Sequence, residues 1–487
     1  MEWVDSTPPE LRVRLRIPAA VLADLPPEAA LRMEFPESPF MNRDGGYGGF
    51  VQVRGEDFSP TPIDRERGVD LSYEVVLEHH LAGPSYGLDD VPHPAGSGWM
   101  VVGRAFLPSI RWGERQVTIP LQLSLSGLWG PRPLSEPVPL DALQDRLYLH
   151  GPVRTHALSW PETELTLATL TRPPVLEPLG ELLGELYGAL APTLGPLPHS
   201  QVLVVVDAVD RSMEGGVIGS DISLLLAPPA SGQLDPSARK LVTHEFIHLW
   251  NGRGPAWQRE GLTEYLRLRT GAAVWDRSMS LPEAISGQHA QHGVATDRPL
   301  AEEFGPAAYP GGAVVGYCLD VMLEAEGRSL DEVLGESLET GTDLPELLAG
   351  EPIGERLQAW LNTPPPLPLA DCFEADGGHA EGVPYTELSM RTVALSILKS
   401  TSFSSQSGEL YTVEPGSPFQ PGDVLVEMAG EKLSGIGDIA WALRGVAIGE
   451  LVPVVVRRGV ERVSLSFEMP ALDPDEGRRA ERVLWRP

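Results

Sequence analysis

Thr243-His244-Glu245-Phe246-Ile247-His248 decides how this chain is read. The pattern is His-Glu-x-x-His. On a helix, residues four apart stand one above the other on the same face, so His244 and His248 can point two imidazoles at one metal ion. Glu245 lies one residue round from His244, within reach of a water at that metal. The flanks predict a helix. Asp235 suits the N-cap, Pro236 the first helical position, and Asn251-Gly252 the end of the run. Leu241, Val242, Phe246, Ile247 and Leu249 would bury its other faces. The bland alternative is a core helix with two incidental histidines, and the residues that follow weigh against it.

A catalytic site of this kind needs a third protein ligand, a carboxylate on a second helix. Trp257-Gln258-Arg259-Glu260-Gly261-Leu262-Thr263-Glu264-Tyr265 supplies one in Glu260. Leu262, Tyr265, Leu266 and Leu268 give this stretch an apolar face, and Gly271 is read as its stop. A turn containing Gly252, Gly254 and Pro255 lets the chain return. Two His, one Glu and an open fourth position describe a catalytic zinc site, not a structural one, with one Zn²⁺ per chain. Glu264, one turn further on, could accept the second N–H of a ligating histidine and fix its tautomer. For both glutamates the alternative is a solvated helix carboxylate.

His-Glu-Phe-Ile-His-Leu-Trp-Asn followed by Trp-Gln-Arg-Glu-Gly-Leu-Thr-Glu-Tyr resembles the glycyl aminopeptidase family of gluzincin zinc metallopeptidases, and more distantly the alanyl aminopeptidases and leukotriene A4 hydrolases. The resemblance implies a multi-domain α+β chain. It would comprise an N-terminal β-sandwich at 1–150, a thermolysin-like catalytic domain at 151–365 and a C-terminal PDZ-like domain at 385–475. It also implies peptide substrates and aminopeptidase activity. An endopeptidase with an open cleft, or an inactive peptide-binding scaffold using the PDZ-like domain, are the alternatives.

Composition bounds the partners. The 487 residues exceed what one core holds. The net charge is −31, with 37 basic against 68 acidic residues, and lysine occurs only at Lys240, Lys399 and Lys432. Such a surface repels phosphate backbones and anionic lipid, so neither nucleic acid nor membrane is expected as a partner. Cys318 and Cys372 are the only cysteines. Two cannot build a disulfide framework, and Cys318, in an apolar helical run, reads as a buried thiol. Met1-Glu2-Trp3-Val4-Asp5 has no basic or apolar leader character, which makes cytoplasmic residence the default expectation.

Residues 1 to about 150 read as short strands. Leu11–Ile17, Leu71–Leu77 and Val117–Leu123 alternate with period two, and turns such as 42–46 separate them. His79 and His80 would face opposite ways on a strand. The pattern then changes. Residues 162–170, 201–206 and 221–226 read as strands, and Leu176, Leu179, Leu182, Leu183, Leu186 and Leu190 keep helical spacing. Between the last two strands lies Arg211-Ser212-Met213-Glu214-Gly215-Gly216. The resembled family carries Gly-Gly-Leu-Glu-His here, on the edge strand beside the substrate. Met213-Glu214 matches Leu-Glu, Gly215 replaces the His, and the Gly-Gly follows the pair instead of preceding it. The resemblance therefore implies a substrate-binding role for Glu214, Gly215 and Gly216, with Glu214 meeting the substrate's α-ammonium.

Further on, Ala308-Tyr309-Pro310-Gly311-Gly312 stands where the related aminopeptidases place Tyr-x-Lys-Gly. Tyr309 is matched to the tyrosine whose phenol can donate to an oxyanion, a catalytic role shared with Glu245 as general base. Ser329-Leu330-Asp331-Glu332 is a capping box. Asn362–Pro368 is a stiff linker by composition. Val413–Val426, with Gly422-Asp423 ahead of a strand, and the hairpin 451–467 resemble a PDZ domain, which would bind a peptide or protein ligand by strand addition.

Overall fold

Leu11, Val13, Leu15 and Ile17 are buried along the strand Glu10–Ile17, while Arg12, Arg14 and Arg16 face outward, as the alternation predicts. The outer arginines meet Glu74 and Asp70 on the neighbouring strand Val69–Leu77. Exposed pairs of this kind contribute little, so the register rests on the buried face. The computed structural model describes residues 2–4, 10–32, 51–54, 61–77, 93–95, 98–113, 115–121, 128–130, 138–170, 175–208, 214–226, 233–305, 307–387, 398–403, 410–413, 415–433, 439, 442–443, 446–447, 449–459, 461–469 and 478–486. His79, His80 and the turn at 42–46 lie outside them. The chain mixes helix and sheet and divides into two compact units, residues 1–252 and 253–487.

In the first unit, two four-stranded antiparallel sheets contribute to one apolar core built on Leu11, Val13, Tyr73, Phe106, Ile110 and Tyr148. The run predicted at 117–123 breaks. Arg115–Val117 pairs with Ser109–Trp112, whereas Pro120–Leu121 pairs with Val138–Pro139. Proline has no N–H to continue a ladder, which accounts for the change of partner.

A five-stranded sheet follows. Its strands are β1 (Arg154–Trp160), β2 (Thr163–Thr169), β3 (Gln201–Ala208), β4 (Glu214–Ile218) and β5 (Asp221–Leu226). The spatial order is β1-β2-β3-β5-β4. β2, β3 and β5 run parallel, and β1 and β4 are antiparallel edges. Val202 to Val206 and all of β5 are buried, as a parallel interior strand requires. The crossover from β2 to β3 is α1 (Leu176–Leu194), which buries Leu179, Leu182, Leu183, Leu186 and Leu190.

β5 leads to α2 (Pro236–Ile247), the helix of the His-Glu-x-x-His motif. An aromatic stack seats it. Trp160 of β1 stacks on Tyr187 of α1 at 4.3 Å, and Phe246 meets Trp160 edge-on at 5.8 Å. Trp250 stands edge-on to Phe246, and its indole N–H donates to the Gly195 carbonyl at 3.1 Å. Each such aromatic pair contributes roughly 1 kcal/mol beyond area burial.

The second unit begins with a π-helical turn, Trp257–Leu262, that runs into α3 (Thr263–Val274). Then come α4 (Leu281–Ala295), α5 (Ala308–Ala325), α6 (Leu330–Thr340), α7 (Pro352–Asn362) and α8 (Leu369–Ala375). α5 is buried along nearly its whole length and packs against the π-helical turn, α3, α4, α7 and α8. The capping box at Ser329 and Glu332 forms as predicted. Gly271 does not stop its helix. α3 continues to Val274, and the missing side chain at Gly271 instead makes room for the Trp275 ring.

Cys318 and Cys372 form a disulfide, which corrects the reading of Cys318 as a buried thiol. Packing of α8 on α5 brings their Cα atoms to 5.2 Å, within bridging range, across 54 positions of sequence. The proline-rich stretch 362–368 makes a defined contact with α4. Leu367 is buried, and its carbonyl lies 2.8 Å from His289 Nε2 of α4.

Towards the C-terminus, a four-stranded antiparallel sheet contains Asp423–Met428 and the paired strands Leu451–Arg458 and Glu461–Glu468. Asp423 is fully buried and accepts from Arg458 Nε at 2.7 Å and Nη2 at 2.8 Å. The sheet has its own core, including Phe419, Leu425, Val454 and Phe467. The last strand, Arg478–Arg486, pairs with His379–Glu387 and lies along α4.

Candidate metal centre

α2 starts where its sequence directs. Asp235 takes extended backbone angles, and its carboxylate accepts from Ala238 N at 2.8 Å, with Pro236 in the first turn. Two turns later His244 and Glu245 are buried, each 8% exposed. His248 still has helical angles, so it stays stacked above His244. The two rings stand nearly perpendicular, and their Nε2 atoms are 3.1 Å apart. The His248 Nδ1 faces the Asn251 carbonyl at 3.3 Å. A carbonyl can only accept, so this contact selects the tautomer protonated on Nδ1 and turns the Nε2 lone pair toward His244.

Glu260 sits in the π-helical turn. The Arg259 guanidinium donates to its Oε1 at 2.9 Å. π-helical turns concentrate at functional sites, because the extra residue re-aims the side chains that follow. His244, His248 and Glu260 each offer one ligand atom, and these atoms all lie within 4.8 Å of one another. Zinc suits this donor set. Tetrahedral nitrogen ligands at about 2.0–2.1 Å from the ion lie roughly 3.3 Å apart, close to the observed nitrogen spacing.

The remaining sequence-named residues are placed as follows. Glu264 receives two donations from Arg267, at 2.7 and 2.5 Å, and one from Gln288 at 3.1 Å. Tyr309 lies in the first turn of α5 and is 37% exposed. Gly311 and Gly312 behind it are buried, and Gly312 lies directly against Gly261 of the π-helical turn. Glu214 opens β4, but its side chain and residues 209–213 lie outside the described residues. Gly215 and Gly216 pair with Leu224 and Ser223 across β5. Gly215 lies against the Glu245 side chain.

Two contributors escaped the sequence. The Asn251 acceptor is a main-chain atom, so no side-chain pattern reports it. Arg267 follows Glu264 at the i, i+3 spacing of a helix ion pair, a signal that was there to be read.

No protein-family model and no curated protein matches the chain. Solved structures do. The chain has the fold of an aminopeptidase N family protein. That protein, from Idiomarina loihiensis, aligns over 97% of this chain and 96% of its own, with a TM-score of 0.57 and 12% identity. At that identity the likeness establishes the fold alone. An M1 zinc metallopeptidase from Deinococcus radiodurans (15% identity, 75% of this chain and 89% of its own) aligns with a TM-score of 0.40. Native leukotriene A4 hydrolase from Saccharomyces cerevisiae (14%, 73% and 63%) aligns at 0.42. Both fits are too loose to bear on function.

Proposed function

We propose that this chain is a zinc-dependent peptidase, an aminopeptidase of the glycyl aminopeptidase type. The observation that carries the reading is the meeting of His244, His248 and Glu260 as a metal-ligating group. The aminopeptidase N type fold is consistent with it. His244, His248 and Glu260 would hold about one Zn²⁺ per chain. When bound, the ion would supply Lewis acidity to water and to the scissile carbonyl.

The chain's own residues do the rest. Glu245, next to His244 on the same helix, takes a proton from the attacking water and delivers it to the leaving amine. The Tyr309 phenol donates to the oxyanion as it develops. Glu214, at the head of the edge strand, pairs with the free α-ammonium of the peptide, and Gly215 and Gly216 let the substrate backbone approach. Glu264, held in place by Arg267 and Gln288, is proposed to orient a ligating histidine.

The three-part division of the chain belongs to the same proposal, with a PDZ-like domain at 385–475 that takes a peptide or protein ligand. The paired strands 451–458 and 461–468 and the Gly422-Asp423 turn support it. Peptides are the proposed substrates; nucleic acid and membrane are not proposed as partners, in keeping with the net charge of −31. Among the described residues no helix is long and apolar enough to cross a membrane. Cytoplasmic residence is the proposed location. The Cys318–Cys372 bridge weighs against it, since such bonds persist chiefly in oxidising compartments.

Zinc analysis together with paired peptides tests the reading. Free-amine peptides should be cut one residue at a time and N-acetylated ones spared. Internal cleavage of acetylated peptides at equal rates would replace the aminopeptidase by an endopeptidase. Absence of both zinc and hydrolysis would leave a binding scaffold.

A further inference from the structure

Gly215 occupies the second position of edge strand β4, opposite Leu224 of β5. Its φ lies outside the left-handed range, so its backbone is one that any residue adopts. Glycine inside a strand costs roughly 0.5–1 kcal/mol relative to alanine. A strand glycine with ordinary angles therefore calls for a reason in its surroundings.

The surroundings supply it. A Cβ added at Gly215 would lie 2.7 Å from Glu245 Cγ, 3.1 Å from Leu224 Cδ2 and 3.1 Å from Leu241 Cδ1. Leu241 stands one helical turn before Glu245 on α2, and Leu224 is the cross-strand neighbour. The added carbon would be boxed on three sides. Leucine tips can rotate away. The Glu245 Cγ is the middle of its side chain, so moving it moves the carboxylate. Glu245 is also buried.

We propose that Gly215 is a positioning residue: its missing side chain is the seat of the Glu245 side chain, and residue 215 thereby sets how well the base is aimed. This rests on the peptidase reading for its effect on turnover, but the packing relationship stands without it. A catalytic group displaced by about 1 Å can lose on the order of a hundredfold in rate. Gly215→Ala should therefore lower kcat about ten- to a hundredfold, over and above any rise in KM from crowding the substrate backbone, with zinc content unchanged. A Gly215 that only contacted the substrate backbone would raise KM and spare kcat.

A second readout uses no activity. In chelated protein, Gly215→Ala should lower Tm by about 2 °C or more, because the new methyl meets Glu245. In a Glu245→Ala background, where Cγ is gone, the same substitution should cost nothing or raise Tm. Equal Tm changes in the two backgrounds would overturn the proposal, whatever the protein does to peptides. If Gly215→Ala fails to fold alone while Gly215→Ala/Glu245→Ala folds, the proposal is supported; failure of both overturns it. An inactive, zinc-free wild type would defeat the peptidase reading and leave the stability cycle to decide the packing claim. An active wild type with an unchanged kcat in Gly215→Ala would defeat only the positioning role.

Discussion

Gly261 and Gly312 touch backbone to backbone. A Cβ on Gly312 would lie 2.5 Å from the Gly261 Cα, and one on Gly261 would lie 2.6 Å from the Ala308 carbonyl oxygen. Gly261 follows Glu260, and Gly312 stands one turn after Ala308 and Tyr309. The seam therefore fixes the distance between the segment of the third ligand and the segment of the tyrosine.

Gly312→Ala should separate those segments. Neither contacting group is a flexible side chain, so the helices must move, at a cost of about 1–3 kcal/mol. The zinc dissociation constant should rise at least about tenfold, because the turn that orients Glu260 shifts. Chelator competition and thermal melts check this; unchanged zinc affinity would show that the seam does not aim Glu260.

His248→Ala should abolish zinc binding and hydrolysis together, since it removes one of three ligands. Glu245→Gln should keep the zinc and lose at least about a hundredfold in kcat, since an amide cannot accept the proton. Metal analysis of both variants beside their kinetics separates ligand from base. Full zinc occupancy in His248→Ala would sink the ligand assignment.

His292 of α4 is 1% exposed, lies beneath Gly311, and neither ring nitrogen has a hydrogen-bond partner among the described residues. Burial first, and neighbouring His289 second, pull its pKa down from 6.5 to about 4. Between those values the unfolded chain binds the proton and the folded chain does not. Stability is thus intact above pH 6.5 and falls as the pH drops toward 4, by up to about 3 kcal/mol. In chelated protein, the Tm of His292→Gln should fall less steeply than wild type over this interval. Parallel slopes would mean that another group dominates the acid transition.

Reduction should loosen the second unit. A bridge spanning 54 positions removes about 4 kcal/mol of unfolded-state entropy in the chain-entropy model. Denatured protein should show no free thiol before reduction and two after it, with a lower Tm for the reduced form. Two free thiols in the unreduced protein would contradict the bridge.

The local chemistry of this site was legible in the sequence because helices obey local rules. The i, i+4 spacing of His244 and His248, the Asp235 cap and Pro236 follow from backbone geometry over a dozen residues, and the structure has them where the pattern puts them. The strands read at 11–17, 201–206 and 221–226, which lie within the observed 10–17, 201–208 and 221–226, were legible for the same reason: burial alternates or persists along a short run. What only the tertiary structure decided depends on residues far apart in the chain. The Cys318–Cys372 bond needed α8 folded onto α5. The continuation of α3 past Gly271 needed the Trp275 ring in the space that glycine leaves. The contact of Gly215 with Glu245 and that of Gly261 with Gly312 are approaches between separate elements, where the signal is the absence of a side chain. A sequence records that a glycine is present. Which atom fills the space it leaves is set by packing, and packing is a property of the whole fold.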